Sequence, residues 1–137
     1  MKKIIFTGLL AGVLLLAICV ILMPLWHYVF PNISAEYANP GLFRPWSDPL
    51  MSLYFVYPFV LALPLAWLWD KVKGAFHGSV WKRGAYFGLM LWVVMSIPGM
   101  WMSYSSFPVS FTMVLSWAIG DLINMLVAGL VFARFNK

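Results

Sequence analysis

Residues 4–23 form a twenty-residue run without a charge, and three further runs at 49–69, 84–102 and 108–132 hold a single charged residue between them, Asp121. A helix rises about 1.5 Å per residue, so roughly 20 apolar residues cross a hydrocarbon layer about 30 Å thick. Inside that layer no water is present to satisfy backbone N–H and C=O groups, so such runs can span only as helices or closed barrels. Runs this long and this continuously apolar lack the alternation of barrel strands. The pattern predicts an all-α integral membrane protein: one domain over residues 1–137, built as a bundle of four transmembrane helices.

Composition agrees. Hydrophobic residues make up 64% and charged residues 9% of the chain, against about 25% charged in a water-soluble domain. The net charge of +5 does not point to nucleic acid, because the basic residues form no basic helix or RNA-binding signature. Lys2, Lys3, Lys71, Lys73, Lys82, Arg83, Arg134 and Lys137 lie at the two termini and in one loop, with only Arg44 elsewhere. Under the positive-inside rule this places both termini and the basic loop 70–83 in the cytoplasm, and loop 25–47 outside, in a cell's cytoplasmic (inner) membrane. Trp26, Tyr28, Trp46, Trp101 and Tyr104 are expected to ring the outer interface, and Trp67, Trp69, Trp81 and Tyr86 the inner one. The MKK start followed by an apolar run resembles a signal peptide, but the run is too long and lacks a small-residue cleavage site, which predicts a retained helix.

Ser47-Asp48-Pro49 has the form of a helix start, with Ser47 as N-cap. Pro58, Pro64 and Pro98-Gly99 predict kinks. Loop 25–47 carries Pro31, Pro40 and Pro45 and is too short for a core of its own; its aromatics suggest a cap on the outer surface. Asn32-Ile33-Ser34 fits a glycosylation sequon, a tripeptide common by chance. Gly8-x-x-x-Gly12 in the first span and Gly84-x-x-x-Gly88 in the third would let helices approach closely. Each pair is followed by a Pro and a Trp, and spans two and four each begin with Ser-x-Pro, which suggests a pseudo-two-fold repeat of one helical hairpin.

Asp121 lies 13 positions after Pro108 and 13 before Arg134, about 20 Å of helix from either end and near mid-membrane. An acid there must be neutralised, paired or hydrated. At about 100° per residue, Ser110, Met113, Trp117, Asp121, Asn124 and Ala128 share one stripe. Leu115, Ile119, Leu122, Ile123, Leu126 and Leu130 fall on an aliphatic face expected to meet lipid. Asn124, one turn away, is placed to share a hydrogen bond with Asp121, and Tyr57, Trp92 and Ser96 lie at a depth from which they could donate to it. The intramembrane candidate site is therefore Asp121, Asn124, Trp117, Ser110, Tyr57 and Ser96. Its readings are hydrogen-bonded glue between helices, or a proton or cation site.

A second polar set, His27, Glu36, Arg44 and Asp48, belongs to the outer side. Its spacing is not that of metal ligands. Neither His27 nor His77 lies inside a span to ligate haem, and no cofactor is called for. Cys19 is the only cysteine, which excludes an intrachain disulfide and leaves a buried inert thiol as the plain reading.

Without a catalytic constellation, the expectation is a small multi-pass protein that acts by association with itself or a larger membrane complex. The alternative is an oligomeric transporter or channel using Asp121. A membrane enzyme working through Glu36, Asp48 or His27 ranks third. Small multidrug-resistance transporters also have four spans, but they carry a glutamate in the first, where this chain has no charge. The strong charge bias likewise separates it from the dual-topology fluoride channels.

Overall fold

The computed structural model describes Met1–Lys137. It is all-helical, a bundle of four helices long and apolar enough to cross a membrane. Helix α1 (Lys2–Val29) continues through Pro24 and takes in residues expected to form loop, His27 among them. It ends at Phe30 because Pro31 follows: the residue before a proline is pushed out of the helical region, and Phe30 sits at φ −128°, ψ 85°. Pro31 then opens the short helix α2 (Pro31–Tyr37), where its missing N–H costs nothing. An Asn39 side chain accepting from the Gly41 N–H (2.9 Å) shapes the loop that follows.

Helix α3 begins with a 3₁₀ turn at Pro49–Ser52 and continues over Leu53–Val72. Its cap is Asp48 rather than Ser47: the Leu50 N–H donates to Asp48 Oδ1 at 2.9 Å. A reversal follows at Gly78, whose φ of +105° is one that side chains rarely tolerate. Ser79 then caps helix α4 (Val80–Leu91). The expected irregularity at Pro98 takes a specific form. Trp92–Ser96 is a π-turn in which the Ile97 N–H reaches back to the Trp92 carbonyl, and helix α5 (Ile97–Ser106) continues from it. Proline lacks a donor and crowds the carbonyl four residues back, so the wider turn falls where the regular ladder cannot close. Helix α6 spans Phe111–Phe135. It starts three residues beyond Pro108, because Phe107 is extended ahead of the proline and Ser110 supplies the cap, accepting from the Met113 N–H at 3.1 Å.

The helices pack closest at the end that carries the basic residues. A side chain at Gly8 would meet Leu63 and Ala66 of α3, and one at Gly12 would meet the Phe59 ring. On α4, a Cβ at Gly84 would lie 2.8 Å from Leu130 Cα, and one at Gly88 would strike the Met125 carbonyl. Leu126 and Leu130 belong to the aliphatic face of α6 expected to meet lipid. Their backbone instead forms the seat for these two glycines, while Leu115 and Ile119 of the same face are exposed. Around the crossings lies the main core, with Leu15, Ala62, Trp69, Phe87, Met125 and Phe132 among its members.

Trp69 is fully buried and is not an interfacial aromatic. Its Nε1 donates to the Asn136 carbonyl (2.8 Å), and Arg83 lies over its ring at 5.4 Å. Asn136 also donates to Asp70 (3.1 Å), and Lys73 Nζ donates to Asp70, to Asn136 and to the Lys137 carbonyl, each at 3.0 Å. This knot ties the chain's last residues to the base of α3. A smaller cluster of Ile33, Val109, Met113 and Val114 seats α2 against the opposite, capped end of the bundle.

Candidate functional site

Toward the capped end the close crossings give out, and the helices separate around a cavity of about 540 Å³. Its floor is made by Cys19 of α1, Tyr57 and Pro58 of α3, and Gly120, Asp121 and Asn124 of α6. Its wall is aromatic, with Trp26, Tyr37, Phe43, Trp46, Tyr54 and Trp117 all facing it. His27 and Arg44 also border it.

The wall is held by contacts between elements. Trp117 Nε1 of α6 donates to the Tyr37 hydroxyl of α2 at 2.7 Å. Tyr37 packs against Phe43 (ring centroids 4.9 Å apart) and His27 (5.6 Å), and Phe43 meets the Trp117 ring edge-on at 6.2 Å. Burial pushes the Tyr37 hydroxyl above its ordinary acidity range against the opposing effect of the Trp117 bond, so it stays protonated at neutral pH.

Asp121 is half-buried at the floor; it has no ion-pair partner in the chain, and the side chain that approaches it as a hydrogen-bond donor is Ser96. The two ion pairs that exist, Arg44–Asp48 at 2.8 Å and Lys73–Asp70 at 3.0 Å, do not include it, although Arg44 borders the same cavity. Asn124 does not bond to Asp121 as expected. Its Nδ2 is directed to Cys19 Sγ at 3.8 Å, and its Oδ1 is buried without a partner. Beside the acid, Gly120 has open space where a Cβ would stand.

Asp121 also borders a second opening of about 240 Å³ between α3 and α5. Tyr57 and Met100 belong to both cavities, while Leu61, Ser96, Gly99 and Ser103 line only the crevice. Ser96 is 3% exposed, and its hydroxyl approaches the Asp121 carboxylate. Gly99 has nothing within 4 Å of the position a Cβ would take.

Of the residues expected at the intramembrane site, the structure thus brings Asp121, Asn124, Trp117 and Tyr57 to one cavity and Ser96 to the adjoining crevice. Ser110 is elsewhere: it caps α6, and its own N–H donates to Glu36 Oε2 at 2.8 Å. Trp92 is committed to the Ala118 carbonyl at 2.8 Å and does not donate to the acid. The outer polar set does not converge either. Glu36 serves Ser110 and Arg44 serves Asp48, while His27 lies against Tyr37 with its Nε2 buried and unpartnered. No three His, Cys, Asp or Glu side chains come within reach of a common metal ion.

The sequence reading missed Cys19, Trp26 and Tyr37 as site residues. Cys19, Met23, Trp26 and His27 follow a helical i, i+4, i+7, i+8 spacing along α1. That stripe becomes visible once the helix is carried through Pro24 instead of being ended at Met23. No family model, curated protein or solved structure matches this chain.

Proposed function

We propose that this is a non-catalytic membrane protein that takes up a cation or small ligand in the cavity above Asp121 and serves its movement across the membrane. We further propose that both termini and the basic loop are cytoplasmic and that the capped end faces outward from the cytoplasmic membrane. The observation that supports this reading is an acid without a basic partner, set at the floor of a roomy cavity. If hydrogen-bonded glue were the whole role of Asp121, it would be spent on a neighbouring helix. Here Trp92 and Asn124, two of its expected partners, are turned to other groups, and Ser96 is the expected donor that approaches it. Catalysis has less support, since Glu36 and Asp48 are each engaged in capping.

The association reading loses one of its supports, because Gly8 and Gly12 pack on α3, and Gly84 and Gly88 on α6, within the same chain. The two glycine-paired hairpins are compatible with internal duplication of one unit. Self-association stands as a second reading on a different observation: α5 contains no buried residue, leaving a flank for a second copy. Four short spans enclose little volume, so a complete path across the membrane is expected to need at least two copies.

The test is reconstitution in liposomes. Asp121→Asn should abolish proton or cation flux, or ligand uptake, without altering thermal stability or oligomeric state. If the parent shows neither flux nor binding, and Asp121→Asn and Asp121→Leu merely shift stability, the carboxylate is structural and the reading fails. Cross-linking in native membranes decides whether copies associate.

A further inference from the structure

The proposed function leaves open what the cavity holds, and its walls constrain the answer. Asp121 is the one acid lining either cavity, and no basic group of the chain is paired with it. A buried carboxylate without a counter-charge is costly, so an occupant that brings a positive charge is favoured over a neutral or anionic one.

The rest of the site is poorly suited to a bare metal ion. Hard cations such as Ca²⁺ or Mg²⁺ take six or more oxygen ligands. The floor offers the Asp121 carboxylate, the Asn124 Oδ1 and the Tyr57 hydroxyl, with the Ser96 hydroxyl beside them, fewer oxygens than such an ion takes and only one of the groups charged. The volume of about 540 Å³ falls instead in the range of sites for organic molecules. Trp26, Tyr37, Phe43, Trp46, Tyr54 and Trp117 supply the ring surfaces that attract organic cations through the negative faces of their π-systems.

The crevice indicates how such a molecule arrives. It lies between α3 and α5, meets the cavity at Tyr57, Met100 and Asp121, and is otherwise lined by uncharged residues. Over Gly99 it is open, and the nearly buried Ser96 lines it beside Asp121. The capped side is bordered instead by Arg44 and His27.

We propose that the ligand is a hydrophobic organic cation, held with its charge at Asp121 and its apolar body on the aromatic wall, and that it reaches the cavity from the bilayer through the crevice between α3 and α5. This rests on the cavity being the functional site.

The experiment uses the full chain in phosphatidylcholine nanodiscs, with empty nanodiscs as the baseline. Its probes are tetraphenylphosphonium and tetraphenylborate, ions of similar size and shape and opposite charge, together with water-soluble tetramethylammonium. Saturable binding of tetraphenylphosphonium but not tetraphenylborate is expected. Asp121→Asn should weaken it by about tenfold or more, and Asp121→Glu should retain most of it. Gly99→Leu, placed in open space, should slow tetraphenylphosphonium association and leave tetramethylammonium binding unchanged.

Equal binding of the two tetraphenyl ions by the parent protein overturns the charge assignment, whatever the variants do. An unchanged association rate in Gly99→Leu overturns the lateral route. So does quantitative disulfide cross-linking of Gly99→Cys between copies in native membranes, which would show a second copy filling the crevice. Asp121-dependent proton or sodium flux without tetraphenylphosphonium binding overturns this inference and leaves the proposed function standing. Absence of both overturns the two together.

Discussion

Trp117 Nε1 donates to the Tyr37 hydroxyl at 2.7 Å, and through that bond a side chain one turn before Asp121 is fastened to the short helix at the capped end. The bond is the only hydrogen bond between side chains in the cavity wall that joins α2 to α6. Tyr37→Phe keeps the ring packing on Phe43 and His27 and leaves the indole N–H unsatisfied. The expected loss is about 1–2 kcal/mol of stability. It should be read as a lower thermal midpoint in detergent, accompanied by faster hydrogen exchange over Pro31–Tyr37 than over α4. Loss of stability without that local change would mean the bond does not hold the cap.

Glycines divide into two groups that should respond oppositely to alanine. Gly84→Ala and Gly88→Ala force a methyl into the backbone of α6, which the two helices can relieve only by moving apart. Each is expected to cost roughly 1–3 kcal/mol. Gly99→Ala and Gly120→Ala meet nothing within 4 Å and should be neutral, or stabilising by up to about 1 kcal/mol through lower chain entropy and better helix propensity. Thermal unfolding of the four purified variants checks this, and equal destabilisation by all four would contradict the packing described.

Asp48 makes the capped end sensitive to acid. The Leu50 N–H and then the Arg44 guanidinium hold its carboxyl below the usual carboxylate range. A depressed value means that the stabilisation is fully present above the ordinary carboxylate range and is lost as pH falls through the lower folded-state value. The start of α3 and the loop 38–48 should therefore loosen at acidic pH and remain unchanged between neutral and mildly alkaline pH. Limited proteolysis of the loop across that range measures it, and Asp48→Asn should flatten the acidic limb.

What could be read before folding was whatever the bilayer itself imposes. Span number followed from helix rise against hydrocarbon thickness, and Asp121 stood out because one charge interrupts an otherwise apolar run. Local starts were less legible where two candidates competed. Ser47 and Asp48 both have the chemistry of a cap, and only the approach of the Leu50 N–H decides between them. Pro24 has the look of a boundary in the sequence, but a proline near the end of a long helix can be tolerated, and the continuation carries Trp26 and His27 to the cavity. Trp69 has the composition of an interfacial aromatic. It is core because Asn136, 67 positions later, returns to accept from it.

The amino-acid sequence by itself determined that this chain forms four membrane-length helices with one acid deep among them, because length and polarity are properties of each segment alone. The tertiary structure decided what stands around that acid. Backbone contact at Gly84 and Gly88, and the seating of Gly8 and Gly12 on α3, bring the helices together at the basic end. Beyond those crossings Cys19, Tyr57, Asp121 and Asn124 border an open cavity instead of pairing across a closed core. Which faces meet, and where they part, depends on the mutual fit of distant helices, and no single segment encodes it.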